Sequence, residues 1–301
     1  MTTGGYFNAD AYKQICAVAT AQNIKLENLD KPSDPGRGDV IALLDIPETG
    51  LTASSFASDV TDIVNDWASN TIGSVLNKFA EICAPQVIYE MDADAVYKNK
   101  TFPASFHYLA CAAYAKERGY SEWYANAGYT RGISERKVTG TTIKVGEIAV
   151  NALQPRIELI GGPQRAVNLV IKDRNGYFFW GNRTAHPLNE EGLVASHFLN
   201  IRQLCCTLKK DLYVACRSFT FDPNSDILWI NFCNRIRPIL DRMKADQGIE
   251  DYKIIKVKTT KKAVLAAKIR IVPIEAVEDF VLNLFLEDSV SGTAVAVDEE
   301  E

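Results

Sequence analysis

Short apolar runs alternate with amphipathic segments through the first half of the chain. Residues 39–46 form an apolar run that ends before Pro47, which is typical of a strand covered on both faces in a parallel sheet. Apolar side chains recur at steps of three and four over residues 52–70, which predicts a helix. A second strand is predicted at 86–91, followed by a helix at 103–118. Strand, helix, strand and helix in this order predict an α/β layer.

The second half of the chain changes to hairpin patterns. Residues 166–171 and 177–180 are rich in β-branched and aromatic side chains and flank the turn sequence 173–176, which predicts a β-hairpin. Two amphipathic helices joined at residues 219–223 are predicted over 200–240. We predict three strands after these helices, at residues 251–258, 263–272 and 278–286.

Two local features of the helical hairpin follow from its pattern. Cys205 falls on the apolar stripe of the first helix together with Leu204, so we expect its side chain to be buried and Cys206 to flank it. Asp222 is a good N-cap for the second helix, and Pro223 then occupies the first helical position.

Stretches rich in glycine and proline at residues 31–38 and 160–163 predict turns that divide the chain. The predicted fold class is α/β, of a mixed α+β kind. A layered sheet-and-helix core domain is followed by a C-terminal domain with a helical hairpin and a three-stranded sheet. We expect an N-terminal segment, the core domain, the C-terminal domain and a C-terminal arm over residues 1–38, 39–160, 161–288 and 289–301.

Composition argues against several classes of protein. The chain has 301 residues, 47% hydrophobic and 24% charged, which is enough apolar material for a sizeable core. A net charge of −5 argues against a surface built for nucleic acid, and we expect no nucleic-acid partner. No apolar run approaches the roughly 18 residues of a membrane span, so we expect no membrane insertion. The seven cysteines form no CxxC pair, which predicts reduced thiols and no metal site.

The motifs of nucleotide-binding and hydrolytic enzymes are missing from the sequence. It contains no GxxxxGK[ST], GxGxxG or GxSxG motif, so we expect no cofactor. One acidic stretch keeps an enzymatic alternative open, because Asp92 and Asp94 follow a predicted strand and lie close to Glu90. Such carboxylates bind a hard cation or act as an acid–base pair, as in an α/β hydrolase-type or metal-dependent enzyme. The competing interpretation is a solvated loop, which the lack of a glycine-kinked ligand loop favours.

Basic side chains cluster late in the sequence, and acidic side chains end it. The cations lie on the predicted strands, and residues 298–301 are all acidic. Lysines on strands usually protect a sheet edge against aggregation. The sharper hypothesis is an electrostatic interface with the acidic tail of another copy. A nucleic-acid-binding module would predict salt-sensitive binding, and the isoelectric point near 5.4 counts against it. The candidate interface residues are Lys253, Lys256, Lys258, Lys268 and Arg270.

Several motifs, taken in chain order, resemble the contractile tail sheath proteins of phages, tailocins and contractile injection systems. Residues 180–184 are similar to a strand end of that family, residues 199–204 to the start of a helix, and residues 219–224 to a turn into a Trp-containing helix. Gln203 replaces the second arginine of the family's helix start. The resemblance covers roughly residues 39–287. The motif residues are Trp180, Gly181, Arg183, Thr184, Asn200, Arg202, Leu204, Phe221, Pro223, Asn224 and Trp229.

The resemblance implies a structural role. Sheath proteins are not enzymes and use no cofactor: they polymerise as stacked hexameric rings around a tail tube, then contract to drive the tube into a target cell. It implies that copies of this chain assemble with one another and with tail tube, baseplate and tail terminator proteins. An acidic tail tube is then an alternative partner for the basic strands. The expected location is a virion tail or an injection-machine sheath that is assembled in the cytoplasm of a bacterial host.

Extended arms are a further feature that the resemblance implies. Sheath subunits exchange arms that add strands to a neighbour's sheet. Sheath subunits also generally carry another arm ahead of the strand equivalent to residues 40–46, whereas only some forty residues precede it here. We therefore expect residues 1–38 to be an N-terminal segment that begins the core domain, with two alternatives: a truncated start, or the start of a reduced sheath protein. The candidate C-terminal arm includes Ser291, Thr293, Val295 and Val297.

Overall fold

The structure is a computed structural model, and it describes residues 2, 7–20, 37–90, 99–173, 176–258 and 264–276. Its strands, numbered in chain order, are β1 Ala42–Asp45, β2 Ala80–Ala84, β3 Val87–Glu90, β4 Asn99–Phe102, β5 Val138–Thr141, β6 Asn168–Asp173, β7 Gly176–Trp180, β8 Ile249–Val257 and β9 Ala266–Pro273. Within the described residues they form a central sheet of order β1-β2-β6-β7, a smaller sheet of order β4-β3-β5 and a ribbon of β8 and β9.

Helices cover the central sheet and form a hairpin after it. They are α1 Ala9–Ala19, α2 Phe56–Asp66, α3 Ala104–Glu117, α4 Gly128–Arg131, α5 Glu147–Leu153, α6 Leu199–Arg217 and α7 Asp226–Ala245. A π-helical turn, Trp67–Thr71, continues α2, and short 3-10 turns are found at Gly73–Val75 and Ala195–His197. The helices predicted at 52–70 and 103–118 are confirmed as α2 with its π-helical continuation and as α3.

The central sheet starts with parallel strands. β1 pairs in parallel with β2, β2 pairs in parallel with β6, and β7 returns antiparallel to β6. All of β1 is buried, which confirms the strand that the apolar run at 39–46 predicts. The β-hairpin predicted around 173–176 is also confirmed, with Asp173 opposite Gly176.

Side chains alternate across the central sheet and divide the core into two layers. Leu44, Ile82 and Leu169 belong to the layer that α1 and α2 cover. Leu43 and Val170, one position along their strands, belong to the layer formed with α3 and the smaller sheet. This alternation follows from the two-residue period of a strand. The predicted mixed α/β class, with helices layered on sheets, is confirmed.

Two strands show the limits of the hydrophobic pattern. The pattern does not predict β2, because Glu81 interrupts its apolar residues and Pro85 follows it. The strand predicted at 86–91 exists as β3, but it lies antiparallel to β4 and β5 in the smaller sheet instead of beside β1. The central sheet takes strands from both sides of the boundary expected at residue 160, because β1 and β2 precede it and β6 and β7 follow it.

The helical hairpin and the ribbon share one hydrophobic core. In the ribbon, β8 and β9 pair with each other in antiparallel orientation. The strands predicted at 251–258 and 263–272 are confirmed, whereas the strand predicted at 278–286 lies outside the described residues. Trp123 belongs to this core, and α6, α7 and β8 contribute further buried side chains, among them Leu204, Leu208, Phe232, Ile236, Leu240, Met243 and Ile249.

The burial predicted for the vicinal cysteines is wrong. Cys206 is buried, whereas Cys205 is only half-buried. The cause is that α6 is covered on two sides. Cys206 lies one helical turn after Arg202, and Arg202 lies over the ring of Phe79 in the central body.

The predicted start of α7 is also wrong. Its N-cap is Ser225, whose hydroxyl accepts a hydrogen bond from the backbone N–H of Leu228 at 3.3 Å. In the preceding turn, which is longer than expected, Phe221 adopts a positive φ of 75°. Asp222 and Pro223 therefore lie in the turn, and the first turn of the helix starts beyond them.

Candidate functional site

The motif residues after β7 meet the start of α6. The side-chain amide of Asn182 donates to Oδ1 of Asn200 at 2.8 Å, and the backbone N–H of Asn200 donates to Oδ1 of Asn182 at 3.0 Å. The backbone N–H of Leu199 donates to the carbonyl of Asn182 at 2.8 Å. The first N–H groups of a helix have no partner inside it, so Asn182 caps α6 from the end of a distant strand.

Gly181 allows the chain to pass close to a buried amide. Its φ is 154°, and a Cβ at this position would collide with Oδ1 of Asn168 and lie 2.8 Å from Nε2 of Gln154. The same Oδ1 accepts from the backbone N–H of Arg183 at 3.0 Å, and the amide of Asn168 donates to the carbonyl of Arg183 at 2.8 Å. Glycine is therefore required here by both conformation and space.

Arg183 and Thr184 attach this segment to the 3-10 turn before α6. Arg183 forms an isolated antiparallel bridge with Phe198, and its guanidinium carbon lies 5.3 Å from the centre of the Phe198 ring. The backbone N–H of Thr184 donates to the carbonyl of His197 at 2.8 Å, and its hydroxyl donates to the carbonyl of Ser196 at 2.8 Å. Both side chains are buried, so their contacts position α6.

A tryptophan connects these residues to the ribbon. The side-chain amide of Asn200 donates to the carbonyl of Trp123 at 3.3 Å, and the indole N–H of Trp123 donates to the carbonyl of Asp246 at 2.9 Å, in the turn between α7 and β8. We call Gly181, Asn182, Arg183, Thr184 and Asn200 the motif cluster. The motif cluster joins the central sheet, α6 and the ribbon into one body.

The motif residues inside α6 also make contacts within the chain. The guanidinium carbon of Arg202 lies 4.6 Å from the centre of the Phe79 ring, and Leu204 is buried in the core of the helical hairpin. Gln203, which occupies the position of the family's second arginine, donates a hydrogen bond to the hydroxyl of the buried Tyr108. The side chain of Gln203 therefore contributes to the packing of α6 on α3.

The turn motif, residues 219–224, contains the exposed members of the motif residues. Phe221, Pro223 and Asn224 are exposed. Trp229 is half-buried and stacks on Phe232 with ring centres 5.5 Å apart. Large apolar side chains on both helices are exposed near this turn, which makes the tip of the helical hairpin a candidate contact surface. They are Tyr213, Val214, Ile227 and Ile230.

The candidate interface cations divide between the two faces of the ribbon. Because side chains alternate along a strand, the register places Lys253, Lys268 and Arg270 together on the face turned away from α7. Lys253 lies directly opposite Arg270, and Lys268 lies opposite Ile255 in the neighbouring pair on the same face. All three cations are exposed. We call this surface, with Ile255 and Val272, the outer ribbon face.

The remaining candidate cations lie elsewhere. Lys256 is on the face towards α7, where its ammonium donates to Asp226 at 2.9 Å and lies 5.7 Å from the centre of the Trp229 ring. Lys258 follows the end of β8 and is exposed. Lys256 therefore holds the ribbon on α7, unlike the cations of the outer ribbon face.

Two buried carboxyl groups, which the hydrophobic pattern of the sequence does not reveal, lie in the central sheet. Asp45 accepts from the backbone N–H and the hydroxyl of Ser105 at 2.7 and 2.6 Å, yet burial raises the pKa of Asp45 above its usual range. Glu81 is fully buried and accepts from the amide of Asn168 at 2.9 Å, and burial raises its pKa to about 8. Glu81 is therefore mostly protonated at neutral pH. The sequence signal for such a buried carboxyl group is an acidic residue within a short apolar run.

A buried group of titratable side chains resembles a nucleophile with its base. The hydroxyl of Tyr89 lies 2.6 Å from Nδ1 of His107, and Sγ of Cys111 lies 3.6 Å from Nε2 of the same ring. Burial lowers the pKa of His107 to about 4 and raises the pKa of Cys111. A neutral imidazole beside a protonated, enclosed thiol is a packing arrangement, since reactive cysteines need an exposed and stabilised thiolate.

An open cavity of about 1190 Å³ lies beside the motif cluster. Trp180 and Asn200 contribute to its wall, together with 274–276, the last described residues. Its charged groups are of both signs and include Lys172 and Asp173 side by side. The cavity therefore shows no preference for the charge of a ligand.

The residues of the enzymatic alternative, Asp92 and Asp94, lie outside the described residues. Within the part of the chain that the structure describes, no group of three His, Cys, Asp or Glu side chains is arranged to hold a metal ion. A search of the same residues finds no helix with the length and apolar character needed to cross a membrane. The candidate arm residues, Ser291, Thr293, Val295 and Val297, also lie outside the described residues.

The fold is shared with sheath proteins of contractile injection systems. The chain is similar to a chain of the anti-feeding prophage baseplate, with a TM-score of 0.63, 14% identity, and coverage of 93% of this chain and 65% of that one. It is equally similar to a chain of the contracted PVC sheath complex of an extracellular contractile injection system, with a TM-score of 0.63, 18% identity, and coverage of 90% and 70%. For the contracted helical sheath of the anti-feeding prophage, the TM-score is 0.54 at 16% identity, with coverage of 82% and 61%.

By sequence, no protein-family model and no curated protein matches the chain. The chain spans about two thirds of the length of the structures it resembles, from 61% to 70% in these three cases. The resemblance to sheath proteins that the motifs indicate is confirmed at the level of the fold.

Proposed function

We propose that this chain is a structural subunit of a contractile tail sheath, in a phage, a tailocin or a contractile injection system. The observation that carries the proposal is the similarity of fold to a sheath complex over 90% of the chain. In this proposal, subunits polymerise as stacked hexameric rings around a tail tube and contract to drive the tube into a target cell. The chain is then a mechanical component and not an enzyme.

The open edges of the ribbon support the proposal. Within the described residues, β8 and β9 pair only with each other. Each strand therefore has one edge of N–H and C=O groups to which an extended segment can add. The proposed segment is the C-terminal arm of a neighbouring copy, through Ser291, Thr293, Val295 and Val297. Backbone hydrogen bonds between arm and ribbon would keep subunits linked while their bodies rotate.

The proposal also names partners and a location. Besides other copies of the chain, the partners are the tail tube protein, the baseplate proteins and the tail terminator protein. The protein would be found in a virion tail or an injection-machine sheath, after assembly in the cytoplasm of a bacterial host. Interfaces formed on contraction supply the driving force in this proposal, so no nucleotide takes part.

Negative-stain electron microscopy of the concentrated protein tests the proposal, with the solution mass measured in parallel. We expect rings or tubes with sixfold symmetry. A variant that lacks residues 291–301 should lose them, whereas a control variant with the exposed Lys144→Glu, away from the ribbon, should keep them. A wild-type protein that stays monomeric at every concentration contradicts the proposal.

A further inference from the structure

We infer that the outer ribbon face binds the acidic C-terminal end, residues 298–301, of a second copy of this chain. The inference rests on the proposed function, because it names one contact by which a subunit holds its neighbour. It concerns side-chain charges on the face of the ribbon, in addition to any strand that joins the ribbon edge.

The outer ribbon face carries cations that are not neutralised. Lys253 and Arg270 are directly opposite each other on β8 and β9, and Lys268 lies in the next pair on the same face. Like charges in directly opposite positions destabilise an antiparallel pair. Asp251, the acid on this face, is paired with Lys244 at 3.3 Å. Within the described residues, Lys253, Lys268 and Arg270 take part in no ion pair.

The opposite face of the ribbon differs, because its lysine has an ion-pair partner. Lys256, on the face towards α7, has Asp226 as an ion-pair partner at 2.9 Å. The chain as a whole has 38 acidic and 33 basic residues, so three cations on one face have the opposite sign to the net charge of the chain. An anionic partner would remove the repulsion between Lys253 and Arg270 and gain an attraction at the same time.

The end of the chain has the matching chemistry. Residues 298–301 are four consecutive acids, and Val295 and Val297 precede them in alternation with alanine. In an extended segment, Val295 and Val297 lie on the same side. The outer ribbon face offers the corresponding apolar groups, because Ile255, opposite Lys268, is half-buried and Val272, opposite Asp251, is 50% exposed. The segment 291–301 thus matches this face in both its apolar and its charged part.

The position of the last described residues favours the tail of a second copy. The chain leaves β9 at Pro273, and residues 274–276 line the cavity beside the motif cluster, next to the central body. The tail of the same copy would have to reverse and run back along its own ribbon to reach Lys253. A contact of tail to neighbour is heterologous, and such contacts build rings or helices by repetition.

A labelled peptide of sequence SGTAVAVDEEE, residues 291–301, tests the charge contact on the full chain by fluorescence anisotropy. We expect binding that weakens at least about tenfold between about 50 mM and about 500 mM NaCl, because exposed ion pairs are screened by salt. The amide peptide SGTAVAVNQQQ should bind at least about tenfold more weakly. Lys253→Glu with Arg270→Glu should abolish binding, whereas the matched control Lys13→Glu with Lys144→Glu, at two exposed lysines elsewhere, should preserve it.

Two results would overturn the charge contact. One is equal binding of the acidic and the amide peptide, or no binding of either. The other is unchanged binding to the Lys253→Glu, Arg270→Glu variant. Circular dichroism of each variant verifies that a loss of binding is not a loss of fold.

A mixing experiment tests whether the tail comes from a second copy. One full-length variant carries Lys253→Glu and Arg270→Glu, and the other has Asp298→Asn and Glu299, Glu300 and Glu301 each replaced by Gln. Neither variant should associate alone in sedimentation velocity, but the mixture should, because the acidic tail of the first then meets the intact ribbon of the second. A mixture that fails to associate where the wild type does would place the contact within one chain and overturn the inference.

These outcomes separate the inference from the proposed function. Rings or tubes that form normally from the charge-reversed variant would overturn the inference and leave the sheath proposal intact. Specific binding of the acidic peptide, with no ring or tube under any condition, would contradict the sheath proposal and leave the charge contact standing.

Discussion

The motif cluster and the outer ribbon face differ in the burial and the pairing of their polar side chains. In the motif cluster, the side chains of Asn182 and Asn200 are buried and bonded to each other and to the backbone. On the outer ribbon face, Lys253 and Arg270 are exposed, directly opposite and without an ion-pair partner among the described residues. Unpaired buried polar groups cost about 1–3 kcal/mol each, so the Asn182–Asn200 pair must form when the monomer folds.

The difference between these regions separates motifs that build the subunit from surfaces that join subunits. Most of the motif residues that resemble sheath proteins make intrachain contacts, from the cap at Asn182 to the packing of Leu204. The cations of the outer ribbon face contribute little to the fold, since exposed charges rarely add more than about 1 kcal/mol of stability. Substitutions in the two regions should therefore have opposite effects on stability and assembly.

The largest effect is expected at Gly181. In Gly181→Ala, the new Cβ collides with Oδ1 of Asn168, and the φ of 154° is strained for alanine. We expect a loss of about 4 kcal/mol in the free energy of unfolding, measured by urea denaturation. Gly146→Ala is the matched control, because a Cβ there meets nothing within 4 Å and no positive φ is involved. A Gly181→Ala protein as stable as the control would show that the motif cluster does not hold the fold.

An intermediate, pH-dependent effect is expected at Glu81. The carboxyl has an ordinary pKa of 4.5 and a folded pKa of about 8 because it is buried. Between these values the folded state keeps a proton that the unfolded state has lost, so the contribution of Glu81 to the free energy of unfolding falls as pH rises from about 5 to about 8. Glu81→Gln should remove this decline and be more stable than the wild type at pH 8, by on the order of 2 kcal/mol.

Urea denaturation across this pH range measures the effect. The exposed Glu190→Gln is the control and should follow the wild type. Burial also raises the pKa of Asp45 and lowers the pKa of His107, and these two groups act on stability with opposite signs as pH rises, so the difference between wild type and Glu81→Gln is the quantity to compare. If wild type and Glu81→Gln show the same pH dependence, Glu81 is not a buried neutral acid.

The smallest effect on stability is expected on the outer ribbon face. Lys253→Thr with Arg270→Thr removes a like-charge pair and introduces a residue type that favours strands. We expect a change within about 0.5 kcal/mol in the free energy of unfolding, together with a loss of assembly seen by electron microscopy. A loss of stability above about 1.5 kcal/mol would mean that these cations support the fold, and it would remove the contrast with the motif cluster.

Elements with a clear period were predictable from sequence. The apolar run before Pro47 predicts the buried strand β1, and the turn at 173–176 between apolar runs predicts the β6–β7 hairpin. Both signals are local, because a strand period or a turn residue acts over a few positions. The chain's sheath-like fold was also predictable, since its motifs follow one another in the order found in that family.

Polar contacts between distant residues were not predictable in the same way. Asn168 donates to Glu81, 87 residues earlier in the chain, and no local pattern shows such a pair. β2 was missed for the same reason, because Glu81 looks polar in sequence and becomes acceptable in a strand only when its partner is in place. Burial of Cys206 in place of Cys205 likewise depends on a second packing surface of α6 that the period of one helix does not reveal.

Hydrogen–deuterium exchange, compared between dilute and assembled protein, tests the central claim most directly. If the ribbon is the joining surface and the motif cluster is internal scaffold, residues 249–273 should gain protection on assembly by at least about tenfold, while residues 180–200 remain equally protected in both samples. Unchanged exchange across the ribbon, or new protection confined to residues 180–200, would contradict the account.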